Sequence, residues 1–148
     1  KRPDGYELKW LLSLVTGSQG GVAPFLIEDL TPRSERVPQN FEHPNQVTGI
    51  ERVTLAASEL ESIEKWYSSL LAKKPTAVTS SELHAEGLCF SIGPHRLEFY
   101  ASHEPSSPLV NWLRQFGPSP CSAVLKAKSA TPKLLDARLT HGAHLFIR

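Results

Sequence analysis

The sequence predicts an α+β fold built by duplication, with a ligand site between the two copies. Three observations lead there. First, Gly49-Ile-Glu-Arg-Val-Thr-Leu-Ala-Ala57 is β-rich and runs into Ser58-Glu-Leu-Glu61, a helix start whose helix ends near Lys73. Second, Cys121-Ser-Ala-Val-Leu-Lys-Ala-Lys128 runs in the same way into Thr131-Pro132 and a helix that stops at Gly142. Third, each of these units continues into another strand-like run.

Taken in order, the elements follow from periodicity and punctuation. Pro3-Asp4-Gly5 is a turn, because Pro presets φ and Gly accepts the positive-φ position. Tyr6 to Val15 reads as a strand with Leu8, Trp10 and Leu12 on one face, and Val22 to Glu28 as its hairpin partner across the loop Gly17 to Gly21. Residues 31–48 contain three prolines and no periodicity, so they are expected to be a linker or a surface excursion rather than a packed element. After the strand Ile50 to Ala57, Ser58 and Glu61 have the spacing of a capping box. Leu60, Ile63, Tyr67, Leu70 and Leu71 then form a helical stripe with Trp66 at its border. Leu83 to Ile92 and Arg96 to Ala101 are strands joined by Gly93-Pro94-His95. Ser107-Pro108 opens a short helix carrying Leu109, Trp112, Leu113 and Phe116, stopped by Gly117. In the second unit Leu134, Leu135 and Leu139 are the expected buried stripe, and Ala143 to Ile147 is the last strand. Trp10, Trp66, Trp112 and Phe116 are expected in the core.

The 148-residue length fits one domain, or two repeated halves of one. Sixteen basic and 15 acidic residues are interspersed and give a net charge of +1, which is not the footprint of a nucleic-acid binder. No run approaches the roughly 20 apolar residues needed to cross a bilayer, and no hydrophobic segment follows the basic start. A cytoplasmic protein is expected. Cys89 and Cys121 lie in apolar runs and read as reduced core thiols, with no zinc-type spacing. The absence of methionine, and a start directly on a turn, suggest a piece of a longer protein.

The order Arg2-Pro-Asp-Gly5, Leu8-x-Trp10, Pro24-Phe-Leu-Ile27, Thr31-Pro32, then Val53-Thr-Leu55 and Leu97-Glu-Phe99 resembles the C-terminal part of glyoxalase-like domain proteins of the vicinal oxygen chelate superfamily. That resemblance implies repeated βαβββ modules whose mixed sheets curl around a cleft. It implies that residues 1–30 are the closing strands of an incomplete upstream module, that 31–48 is a linker, and that 49–148 is a module pair with 49–105 and 119–148 as repeats. A homodimer, or association with the missing module, would then cover open sheet edges.

Enzymes of the superfamily hold a divalent metal with His, Gln or Glu on inward strand faces. By resemblance, the first-strand ligand falls at Arg52, which cannot ligate a cation, and the closing-strand carboxylate falls at Glu98. Alternation puts Ile50, Arg52, Thr54 and Ala56 on one face, and Arg96, Glu98 and Tyr100 on another. Three readings remain: an Arg52–Glu98 ion pair in place of a metal, Arg52 reaching for an anionic group, or Glu98 serving as a metal ligand. Lys126, at the matching place in the second repeat, adds a further inward cation.

The candidate ligand-binding residues are therefore Arg52, Thr54, Glu98, Tyr100 and Lys126, with Glu98 as the candidate metal ligand. Of the six histidines, at least four are expected to be surface or capping residues, and His84 and His144, on strands, are the only two placed where a pocket is within reach. Arg2 and Asp4 form either a surface ion pair or a lip over the cleft. The function that fits is a small-molecule-binding domain, metal-free in this chain, for an anionic or carbonyl-containing ligand, with no nucleic-acid or membrane partner. The alternative is a divalent-metal-dependent lyase, isomerase or dioxygenase in the full-length protein.

Overall fold

A computed structural model describes residues 2–17, 21–39, 42–129 and 131–148. In chain order the elements are β1 (Trp10–Ser13), β2 (Leu26–Asp29), α1 (Arg33–Arg36), β3 (Val47–Ala56), α2 (Glu61–Leu71), β4 (Thr76–Ser80), β5 (Ala85–Ile92), β6 (His95–Ala101), α3 (Pro108–Phe116), β7 (Ser119–Ala127), β8 (Lys133–Leu134) and β9 (His144–Ile147). Strands β1 and β2 form a separate hairpin, and the other seven make one mixed sheet in the order β4-β5-β6-β3-β7-β9-β8. No helix among the described residues is long and apolar enough to cross a membrane.

The first unit is a complete βαβββ module. Its outer strands β3 and β6 pair in parallel, and α2, β4 and β5 supply the crossover that parallel pairing requires. The unit after α3 repeats only part of this plan. Strands β7 and β9 again pair in parallel, but the expected second helix is not formed among the described residues between them. Lys133 and Leu134 instead pair with β9, and Leu135 N–H donates to the Leu145 carbonyl at 2.8 Å. Asp136 then captures the Arg138 backbone N–H at 3.0 Å, which favours a turn over a helix. The apolar stripe had no surface to cover, and Leu134 and Leu139 are 63% and 82% exposed.

Helix α2 packs on one face of the sheet through the spacing seen in the sequence. Ile63 and Tyr67 meet Leu55, Phe90 and Phe99, all buried. The Tyr67 ring lies 4.6 Å from Phe99 and 5.4 Å from Phe90, distances at which tilted aromatic pairs attract beyond their buried area. Burial pushes the Tyr67 phenol up to about 12. It stays protonated and donates to the Val22 carbonyl at 2.7 Å, fixing the foot of the hairpin to the core. The capping box does not form: Glu59, not Ser58, accepts from the Ser62 N–H at 3.0 Å. On the opposite face, α3 seats Leu109 against Ala56 and Tyr100. Its expected ends are present, with Ser107 accepting from the Leu109 N–H and Gly117 in the left-handed region at φ 68°.

One further expectation, the core placement of Trp10 and Phe116, needs correction. The 31–48 segment adds one helical turn, α1, which buries no residue and is held at the surface by a bidentate Arg36–Asp29 pair and by Arg2 Nη1 to Glu35 at 2.9 Å. The Arg2–Asp4 turn is likewise an ion pair on the surface. Trp10 and Phe116 are not core residues, being 46% and 54% exposed. The hairpin carries Trp10, Leu11, Leu12, Leu26 and Ile27 in the open. Both cysteines are free thiols. Strand β4, which the sequence reading passed over, has a Thr-Ala-Val-Thr-Ser composition too polar to register as a strand.

Midway along β3, Glu51 sits at a register irregularity and receives Arg96 Nη2 at 2.6 Å and Arg148 Nε at 2.7 Å. The two guanidiniums, Arg148 first, hold its carboxyl below the usual range. A depressed carboxylate stabilises the fold above its unfolded value near 4.5, and that contribution is lost as pH falls through the lower folded value. The melting temperature of Glu51→Gln should therefore fall less steeply below pH 4.5 than that of the parent protein, measured by thermal unfolding across an acid series. Phe99→Ala, which empties a wholly buried site, should cost about 3–5 kcal/mol in urea unfolding.

Candidate functional site

The pairing registers of six strands place one residue from each in a single line across the sheet. The line is Thr76 on β4, Cys89 on β5, Glu98 on β6, Thr54 on β3, Ser122 on β7 and His144 on β9. Directly paired residues point to the same side, so this is a polar stripe on the face opposite α2. Arg52 and Tyr100 stand two residues away from Thr54 and Glu98 on their own strands and so share that face. Helix α3 lies over the same side, and between it and the sheet is a cavity of about 430 Å³. Arg52, Thr54, Glu98, Tyr100, Ser122 and His144 all line it.

Glu98 is at the centre of the charge arrangement. Its side chain is only 6% exposed, and it takes Arg52 Nη1 at 3.3 and 3.4 Å on its two oxygens. Tyr100 donates its hydroxyl to Oε2 at 3.2 Å. Burial, then the neighbouring Glu98 charge, pushes the Tyr100 phenol up to about 12, so it remains a donor at neutral pH. The same two causes raise the Cys89 thiol. Burial alone leads in raising Cys121 to about 11, and its Sγ lies 3.4 Å from the Thr54 carbonyl. Neither thiol is a nucleophile at neutral pH.

Arg52 is incompletely satisfied. Its contacts to Glu98 are longer than the about 2.8 Å of a good charge-assisted bond. Its Nε is buried and has no hydrogen-bond partner. A buried unsatisfied donor of this kind costs about 1–3 kcal/mol.

Tyr100 rests on Gly87, its partner across β5 and β6. A Cβ at residue 87 would stand 2.6 Å from the Tyr100 ring and 2.5 Å from the Phe99 carbonyl oxygen.

Of the residues named from sequence, Arg52, Thr54, Glu98 and Tyr100 come together in one cavity, whereas Lys126 does not. Lys126 is exposed opposite Gly49, in a separate recess with His95, Arg96 and Arg148. His84 sits at a positive-φ turn beside Glu104 rather than in the cleft, while His144 lines it. Ser122 and Trp112 also line the cleft and were not named as site residues. Only the β3–β7 register brings Ser122 there, and α3 had to dock on this face for Trp112 to join it.

The residues present do not fit a divalent cation at Glu98. Both of its oxygens face the Arg52 guanidinium, which repels a cation, and no three His, Cys, Asp or Glu side chains among the described residues are grouped to hold one.

Breaking the pair tests its energetics. Arg52→Met should cost about 2 kcal/mol in urea unfolding, below the 3–5 kcal/mol of fully buried pairs because Arg52 is 35% exposed. Adding Glu98→Gln should restore part of that loss by removing the orphaned buried charge.

A family model described as a glyoxalase-like domain matches residues 1–71. No curated protein matches the chain. Among solved structures, the methylmalonyl-CoA epimerase of Mycobacterium tuberculosis superposes with a TM-score of 0.60 at 13% identity, covering 71% of this chain and 89% of its own. A Streptomyces coelicolor methylmalonyl-CoA epimerase in complex with 2-nitronate-propionyl-CoA gives 0.59 at 13% identity, with 68% and 93% covered. A hypothetical protein from Bacillus halodurans gives 0.58 at 13% identity, with 66% and 91% covered. At such identities the likeness establishes a shared fold.

Proposed function

We propose that the chain, whose residues 1–71 match a glyoxalase-like domain, is a glyoxalase-like protein of the vicinal oxygen chelate superfamily whose cleft binds a small carboxylate through Arg52, without a metal at Glu98. The observation that carries this reading is the Arg52 side chain, 35% exposed on the lining of a 430 Å³ cavity, whose contacts to Glu98 stay as long as 3.3 and 3.4 Å. A guanidinium presents a planar fork matched to a carboxylate, and its remaining donors suit a second acceptor besides Glu98. Thr54 and Tyr100 add hydroxyls to the same wall, and Ser122 a third. The volume is that of a small-molecule pocket. Relatives of this fold point the same way: methylmalonyl-CoA, held by an epimerase of similar structure, itself carries a free carboxylate.

The hairpin β1–β2 fits the role of closing strands of a preceding module, because its apolar side chains lack cover and the family model spans it together with β3 and α2. A preceding module, or a second copy of the chain, would supply that cover.

Titration of the protein with propanoate and with its neutral isostere propanamide, followed by NMR shifts of the cleft residues, tests the carboxylate reading. Saturable shifts are expected for propanoate only, and they should vanish in the Arg52→Met, Glu98→Gln double variant. Equal response to the amide, or binding that survives in the double variant, would refute it.

A further inference from the structure

The polar cavity is one end of a longer groove. A second cavity of about 790 Å³ adjoins it and shares Pro108, Trp112, Cys121, Ser122 and His144 with the first. Its wall continues through Phe116 and Pro120, away from Arg52 and Glu98. Trp112 stands at the junction, with His144 edge-on to its ring at 6.2 Å. The indole is held in place, since its Nε1 donates to Ser119 Oγ at 3.0 Å and that hydroxyl donates to the Gly117 carbonyl at 3.0 Å.

Phe116 completes an aromatic pair with Trp112, centroids 4.5 Å apart, yet it remains 54% exposed. Folding leaves this ring half in water. An aromatic pair on the lip of a groove whose other end holds a guanidinium offers two kinds of contact to one occupant: charge at one end and ring surface at the other.

Resting on the carboxylate reading above, we infer that the ligand is an amphipathic carboxylate whose aryl or alkyl body extends from Arg52 along α3 onto Trp112 and Phe116. The charged head meets Arg52 in the polar cavity, and the body displaces water from the Trp112–Phe116 surface. Trp112 and Phe116 then set which carboxylates are accepted, while Arg52 sets that a carboxylate is required.

Dissociation constants from NMR titration of propanoate, phenylpentanoate and phenylpentanamide test this in the parent protein and in Phe116→Ala, a change at an exposed ring that leaves the core intact. Phenylpentanoate should bind at least about tenfold more tightly than propanoate, from burial of its apolar body. Phe116→Ala should weaken phenylpentanoate about threefold to tenfold, the worth of an aromatic contact, and leave propanoate unchanged. Equal affinity of the two acids, with both lost in the Arg52→Met, Glu98→Gln variant, would overturn the extended groove and spare the carboxylate reading. Loss of all Arg52-dependent binding would overturn both. A dimer in sedimentation that Phe116→Ala dissociates would assign the exposed ring to a second copy of the chain and overturn the inference as well.

Discussion

Two parallel pairings, β6 with β3 and β7 with β9, flank one antiparallel pairing, β3 with β7, and their registers agree. Everything at the site depends on that agreement. A slip of one residue in any pairing would turn that strand's site side chain to the α2 side and break the polar line. For β3, β5 and β6 the hydrophobic half of the sheet enforces it, because Leu55, Phe90 and Phe99 must all face Tyr67 at the same time. The core that α2 builds is thus the reason Glu98 and Thr54 stand side by side on the other face.

The Arg52–Glu98 pair replaces one way of neutralising a buried carboxylate with another. A cation would satisfy Glu98 from a point. A guanidinium does so from a plane that also has donors directed elsewhere. The cost is visible in the long contacts and in the stranded Nε. A fully optimised structural ion pair would not leave that atom without a partner.

Much of this was legible in the residues. Alternation alone placed Arg52 with Thr54 and Glu98 with Tyr100, because period two is rigid wherever the opposite face is apolar. The helix α2 stripe and the Ser107–Pro108 and Gly117 ends of α3 were equally readable. What failed were inferences that needed a partner surface. Leu134, Leu135 and Leu139 have helical spacing, but nothing was there for a helix to cover, and the open edge of β9 captured Lys133 and Leu134 as a strand. Lys126 was put in the cleft by assuming that the second unit copies the first, although its cross-strand partner Gly49 lies well past Arg52 toward the other end of β3. Ser122 and Trp112 could not be assigned without knowing which strands touch and where α3 docks.

Gly87 has a bearing on the shape of the chamber. The Tyr100 ring can lie flat only because residue 87 has no side chain beneath it. A single methyl there would meet the Tyr100 ring and the Phe99 carbonyl oxygen at once, so the β5–β6 pairing beneath the chamber would have to shift. Residue 87 thus sets the floor of the chamber without lining it, through the strand pairing that holds Glu98 and Tyr100 in place.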